Sequence, residues 1–480
     1  MSLRQKTISG LIWTFSQQFG VQLINFLVSI ALARLLMPSE FGLIGMISIF
    51  IAIGSSLIDS GLTSSLIRTI NPDQRDYSTV FFINLAGSVV IYFILFLAAP
   101  LIANFYDQPI LESIVRVFTF SFIINAFAGV QSARLTKEMN FKLQMTIQIP
   151  SIIVSGIIGV VLAVQGYGVW SLVYMNLSQS FLSTLQLWLR SGWRPSLILD
   201  KEKLKHHFKF GYKLTLSGLL DTIYNNAYNL IIGKYFSAAQ LGYYTRAQSL
   251  KQLPVNNISR ALNKVTYPLF ASIQNDNLKL RAVYSKIMRQ VIFWLAPTMA
   301  ILFIFALPIF QILFGEKWLP AVPYFQILCF VGVLHPLHSY NLNILKVKGR
   351  SDLFLKLEII KKIYTTIGIA CAIPFGIIGL LWWQVISSIV GLIINAWYSG
   401  KLINYPLNEQ LIDIVPIFSL SIVVGAIIYS FDYFFSSAIL LSDIWRIMFF
   451  PILYFLFYLG LSYIIKIKSL ADFTQLILKK

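Results

Sequence analysis

Residues 241–270 read LGYYTRAQSLKQLPVNNISRALNKVTYPLF and carry four cations, Arg246, Lys251, Arg260 and Lys264, in a chain that is mostly apolar. On a helix turning about 100° per residue, Arg246, Leu253, Asn257, Arg260 and Lys264 fall within about 60° of one another, while Lys251 points elsewhere. Two arginines and a lysine on one face suit an anion. A guanidinium fork meets two phosphate oxygens at once, and an ammonium adds a point charge. The expected substrate-binding residues are therefore Arg246, Lys251, Asn257, Arg260 and Lys264. Pro254, in mid-segment, is expected to kink the helix.

Three acids within apolar stretches, Asp59, Asp221 and Glu358, are expected to pair with cations or to bind a coupling ion. Glu358 stands three and four residues before Lys361 and Lys362, the favourable order for a helical ion pair. No organic cofactor is expected, and the coupling species would be a proton or sodium ion. His335 and His338 share i, i+3 spacing without a carboxylate or cysteine beside them, so no metal site is expected. The chain has no GxxxxGK loop to cradle a nucleotide and no nucleophile with an evident base. The expectation is a transporter, not an enzyme.

The cations matter because of where they sit. The 480 residues are 57% hydrophobic and only 12% charged, about half the charge of a soluble domain. Mean hydropathy is +0.73. Net charge is +19, which in a soluble protein would suggest nucleic acid; here no nucleic-acid partner is expected, and membrane lipids are. Arg4 and Lys6 precede an apolar run that ends near Ala31-Leu32-Ala33, but the run from Ile8 to Ile30 exceeds a signal-peptide core and is long enough to span. The two cysteines, Cys329 and Cys371, lie in apolar segments and make no disulfide framework.

Fourteen apolar segments are expected to cross: 10–35, 41–67, 79–104, 113–134, 144–164, 167–189, 213–236, 241–269, 286–313, 321–345, 353–373, 377–402, 412–434 and 444–465. With both termini in the cytoplasm, the inner connections collect Arg68, Arg75, Arg134, Lys137, Lys142, the basic stretch 190–212, Lys279, Arg281, Lys286, Arg289, Lys346, Lys348 and Arg350. That is the asymmetry lysine and arginine obey at membranes. Removing the polar segment 241–269 inverts every later loop, so this segment is expected to cross despite its charges. A charge in mid-bilayer costs about 2.5–3.5 kcal/mol on insertion scales, and its side chain should face protein or water.

ARLLMPSEFGL at 33–43 and GKYFSAAQLGY at 233–243 align at a spacing of 200, with Gly42 on Gly242, Arg34 on Lys234 and Glu40 on Gln240. Each stretch ends one helix and opens the next, so Arg34, Gly42, Lys234 and Gly242 are expected hinge positions. The fold expected is all-α and polytopic, with two pseudo-symmetric six-helix lobes and two further C-terminal helices. The divisions are 1–190 for the first lobe, 191–212 for a basic cytoplasmic linker, 213–403 for the second lobe, and 404–480 for the last two helices and a basic tail.

MSLRQKTISG at the start, ARLLMPSEFGLI, YPLFASIQND at 267–276, FGEKW at 314–318 and LKVKGRSD at 345–352 resemble, in order and spacing, the polysaccharide exporters, above all the colanic-acid type. The resemblance runs through about residue 400. It implies membership of the multidrug/oligosaccharidyl-lipid/polysaccharide superfamily. It also implies two six-helix lobes around a cationic cavity, and alternating-access movement of undecaprenyl-diphosphate-linked oligosaccharide across the bacterial inner membrane. Polysaccharide polymerase machinery would be a further partner. The alternatives are a lipid II flippase and, less well matched to a basic stripe, a drug/cation antiporter.

Overall fold

The computed structural model describes the backbone of residues 3–59, 61–439 and 442–478, with side chains described outside 1–12, 14–16, 59–60, 213–214, 259–265, 436–441 and 475–480. Among the described residues every regular element is helical. The chain divides into two compact units, Met1–Gly242 and Tyr243–Lys480.

The first unit contains α1 (Leu3–Leu35), α2 (Pro38–Asp59), α3 (Leu62–Arg68), α4 (Gln74–Tyr106), α5 (Ile110–Phe118), α6 (Phe120–Lys137), α7 (Phe141–Val164), α8 (Val169–Arg190), α9 (Lys201–Tyr235) and the first turn of α10 (Ala238–Ser272). Side chains set many of these ends. Asp73 and Asp76 exchange bonds with each other's backbone N–H and so cap α4, which stops at Asp107 in a left-handed conformation. Asn140 caps α7 and Asp200 caps α9. Each cap satisfies amides that a helix leaves unpaired at its start. α7 packs between α1 and α8, and α9 lies along α2, α3 and α4. An aromatic cluster of Phe81, Phe127, Trp188 and Trp193, in edge-to-face contacts, fills the space under α4 and α6.

The stretch expected to be a linker, 191–212, is irregular only as far as Asp200; from Lys201 it is the start of α9. Its density of lysines hides a capped helix that has no apolar run to announce it.

The second unit continues α10 and adds α11 (Asn277–Ile304), α12 (Ala306–Phe314), a 3-10 turn (Glu316–Ala321), α13 (Val322–Val347), α14 (Ser351–Ala372), α15 (Gly376–Leu402), α16 (Leu407–Ile439), α17 (Asp443–Ile464) and α18 (Lys468–Leu478). The segment 286–313, expected as one span, breaks at Phe305 into α11 and α12. The tail after Lys466 contains α18. The last helices are firmly attached. Arg289 of α11 pairs with Asp413 of α16 at 3.1 Å and with Asp472 of α18 at 3.2 Å. The Tyr458 hydroxyl of α17 donates to the Phe293 carbonyl at 3.0 Å, and Trp294 meets Phe473 edge-on. Arg289→Leu leaves two largely buried carboxylates without their shared cation, an arrangement that costs about 3 kcal/mol or more. We expect limited proteolysis to release α18 from this variant while leaving the wild type intact.

Ten stretches of the described helices are long and apolar enough to cross a membrane, and one of them, Ser351–Leu402, contains both α14 and α15. α8, α9 and α10 are too polar for that criterion, yet with them every one of the fourteen sequence segments is occupied by helix. Large apolar side chains such as Leu97, Leu101, Phe434 and Ile464 stand at least 70% exposed, as they must where lipid replaces water. The protein is an all-α, multi-pass membrane protein.

Candidate functional site

α10 places its cations unequally. Arg246 is buried, and its guanidinium lies 5.2 Å from the Phe314 ring centre and 5.3 Å from that of Trp318. Stacking of this kind holds a guanidinium plane in place, so Arg246 anchors α10 to the end of α12 and the 3-10 turn after it. Lys251 is 4% exposed. Its Cγ and Cδ run over Gly332 of α13, where a methyl group in place of the glycine hydrogen would lie 3.2 and 3.3 Å from them. No ion pair is formed by Lys251 among the described residues. Asn257 is exposed. Arg260 and Lys264 lie on the α10 backbone, but their side chains fall outside the described residues. The structure therefore brings Arg246 and Lys251 into the second unit's interior and leaves Asn257 on an accessible face.

Of the expected charge partners, Glu358 forms the local ion pair with Lys361 of α14. Asp221 is exposed on α9, and the side chain of Asp59 lies outside the described residues. Among the described residues no group of histidines, cysteines and acids is arranged to hold a metal.

The repeat positions meet each other. A methyl group on Gly42 would lie 1.7 Å from the Ala238 carbonyl oxygen, and one on Gly242 would lie 1.9 Å from the Pro38 carbonyl oxygen. Pro38 and Ala238, like Gly42 and Gly242, are 200 residues apart, so the N-terminal turns of α2 and α10 cross reciprocally at backbone distance. The turns are capped alike. The Met37 N–H donates to Glu40 Oε2, and the Ser237 N–H to Gln240 Oε1. Of the other two hinge positions, Arg34 is exposed. Lys234 pairs with Asp107 at 3.2 Å and lies 5.2 Å over the Phe105 ring.

Two features were not read from the sequence. A polar seam joins α13 to α15: the His338 imidazole lies 3.0 Å from Ser388 Oγ and 3.2 Å from Asn395 Nδ2, and the Ser399 hydroxyl donates to Asn341. The HPLH motif was the only sign of it. The second is an apolar groove of about 670 Å³ among α11, α13, α15 and α16, lined by Met299, Phe303, Phe330, Ile389, Phe418 and Tyr429 among others. Its α16 wall comes from the first of the two extra helices. No single-helix pattern reveals a space that four helices enclose.

A helical bundle that spans the membrane many times and buries cations inside one unit is the build of a membrane transporter. Its fold matches the lipid II flippase MurJ in an inward closed conformation, with a TM-score of 0.76 over 94% of this chain and 99% of that one at 13% identity. It also matches an inward-facing multidrug-resistance transporter of the MATE family, with a TM-score of 0.59 over 80% and 95% at 19% identity. At these identities the likeness is one of fold. The chain belongs to the polysaccharide biosynthesis protein family, which matches residues 31–323. It is 26% identical to the teichuronic acid biosynthesis protein TuaB of Bacillus subtilis (strain 168), over 89% of each chain. It is 25% identical to the lipopolysaccharide biosynthesis protein WzxC of Escherichia coli (strain K12), over 75% of this chain and 74% of that one. The succinoglycan biosynthesis transport protein ExoT of Rhizobium meliloti (strain 1021) is 24% identical over 80% and 78%.

Proposed function

We propose that this chain is a flippase that carries a polyprenyl-diphosphate-linked oligosaccharide repeat unit across the bacterial inner membrane by alternating access, with both termini in the cytoplasm. One observation carries the reading: in a member of a polysaccharide biosynthesis family, a helix read as membrane-spanning buries Lys251 without an ion pair among the described residues. A cation held in an apolar bundle is costly unless a counter-charge arrives. A lipid diphosphate supplies that charge where the chain needs it. The names of the relatives, one of them a transport protein, support a glycan cargo. We place the pivot at the crossing of Gly42 and Gly242, where small residues let two helices approach at backbone distance.

The chain has no nucleotide loop, so net movement is driven by an ion gradient or by removal of the product. Reconstituted into liposomes with a fluorescent oligosaccharide on a polyprenyl diphosphate, the protein is expected to make inner-leaflet label reachable by a membrane-impermeant quencher. Quenching that stops at the protein-free plateau overturns the reading. Faster movement of lipid II than of the oligosaccharide lipid decides for the alternative cargo.

A further inference from the structure

Near the start of α9, four side chains from three helices make one network, buried except at Lys203. Asp76 of α4 is 1% exposed and His207 of α9 is fully buried. Asp76 Oδ2 accepts from Lys203 Nζ at 2.9 Å and from the Asp73 N–H at 2.9 Å. Asp76 Oδ1 lies 3.1 Å from His207 Nε2. On the far side of the ring, Nδ1 lies 2.8 Å from Ser65 Oγ of α3. Of the two neutral tautomers only one satisfies every partner: Nε2–H donates to the carboxylate, and the Ser65 hydroxyl donates to Nδ1. The ring is then neutral and both its nitrogens are used. Two further contacts press α9 onto α3. A methyl group on Gly61 would lie 2.7 Å from the Gly211 carbonyl oxygen, and the Arg68 guanidinium lies 4.3 Å over the Phe210 ring.

We propose that His207 is a proton-binding site whose occupancy releases the N-terminal end of α9 from α3 and α4. A proton on Nδ1 turns an acceptor into a donor. It then faces the Ser65 hydroxyl donor, so the hydrogen bond reverses or breaks. It also places a second cation, on a fully buried ring, beside Lys203.

The charged and titratable groups around the ring come from every packed element. They are Arg68 of α3, Asp73 and Asp76 with Arg75 and Tyr77 at the start of α4, and Lys203 and His206 of α9. On α6, Lys137 donates to the carbonyls of Leu66 and Ile67 of α3 and of Thr69 just after it, and Arg134 pairs with Glu138. Asp200 pairs with Arg75 at 4.0 Å. Burial pushes the His207 imidazole below its ordinary range although Asp76 pulls the other way, and the bond to Asp76 holds the Lys203 ammonium above its range. The released form therefore binds the proton better than the latched form. The latch is at full strength above the ordinary imidazole value near 6.5. Below it, each pH unit lowers the closing constant by up to about tenfold.

The flippase reading enters only in placing this end of α9 in the cytoplasm. The test needs no glycolipid, so it fails or succeeds apart from that reading. Hydrogen exchange of the purified full-length protein is followed at pH 7.5 and 5.5, with times scaled for the intrinsic chemical rate. Amides of 62–68 and 201–212 are expected to lose about tenfold in protection at pH 5.5 in the wild type. His207→Gln keeps a donor for Asp76 and an acceptor for Ser65 but cannot charge, and its protection is expected to be the same at both pH values. Wild-type protection that does not change, or a variant that falls in parallel, overturns the proposal. Should the variant not fold, ¹⁵N-histidine spectra of the wild type decide. His207 must be neutral with its proton on Nε2 at pH 7.5 and gain the second proton in step with deprotection; a ring already charged at pH 7.5 overturns it.

Discussion

Gly242→Ala is expected to destabilise the protein by at least about 3 kcal/mol and to abolish export. Overpacking costs about 1–3 kcal/mol when side chains can shift. Here the obstacle is the Pro38 carbonyl, 1.9 Å from the new methyl group, and backbone cannot step aside. Gly42→Ala meets the Ala238 carbonyl at 1.7 Å and should be at least as severe. Because the two glycines face each other in one crossing, the helices need to separate only once. The double variant should therefore lose clearly less than the sum of the two singles, the signature of coupled sites. Gly129→Ala is the control. It lies inside α6 with nothing within 4 Å of the new methyl group, and it should be neutral or slightly stabilising, by about 0.5–1 kcal/mol. Thermal unfolding in detergent measures all four variants, and surface polysaccharide in cells measures export. Full additivity of the two glycine variants would show that α2 and α10 do not share this crossing.

Lys251→Met should move stability and export in opposite directions. Methionine keeps the length of the side chain over Gly332 and removes the charge. A cation in the middle of a membrane helix costs about 2.5–3.5 kcal/mol, and Lys251 has no ion pair among the described residues, so the variant should melt several degrees higher than the wild type. Export should fall by tenfold or more if the ammonium meets the diphosphate, because the incoming anion then has no counter-charge to desolvate against. Arg246→Met should behave differently. It strips a stacked anchor from Phe314 and Trp318, so both stability and export should drop. A Lys251→Met protein that is more stable and exports normally would remove the anion-binding role and leave the lysine as an unneeded burden.

The all-α class and the course of the long helices were legible in the runs of apolar residues, though not the breaks that divide some of them, and the ion pair of Glu358 with Lys361 was legible in their spacing. The correspondence of Gly42 with Gly242 was legible as a repeat at a spacing of 200, but not that the two backbones meet. Composition could also mislead. Lysine-rich 201–212 looked like linker, and only the cap by Asp200 and the burial of His207 make it helix packed against its neighbours. The stripe on α10 shows the limit of periodicity: Arg246 and Asn257 share a face by angle, yet one is buried against aromatic rings and the other is exposed.

The sequence by itself determined that this protein lives in the membrane, crosses it many times and carries four cations on one helical segment. It did so because hydropathy and helical periodicity are properties of neighbours along the chain. Tertiary structure alone decided which cation is enclosed, that α9 lies with α2, α3 and α4 in the first unit, and that Ser65, Asp76 and His207, up to 142 residues apart, share one proton network. Those are contacts between helix faces. A face is written in the sequence, but the surface it meets depends on how all the other helices exclude lipid and satisfy their polar groups together.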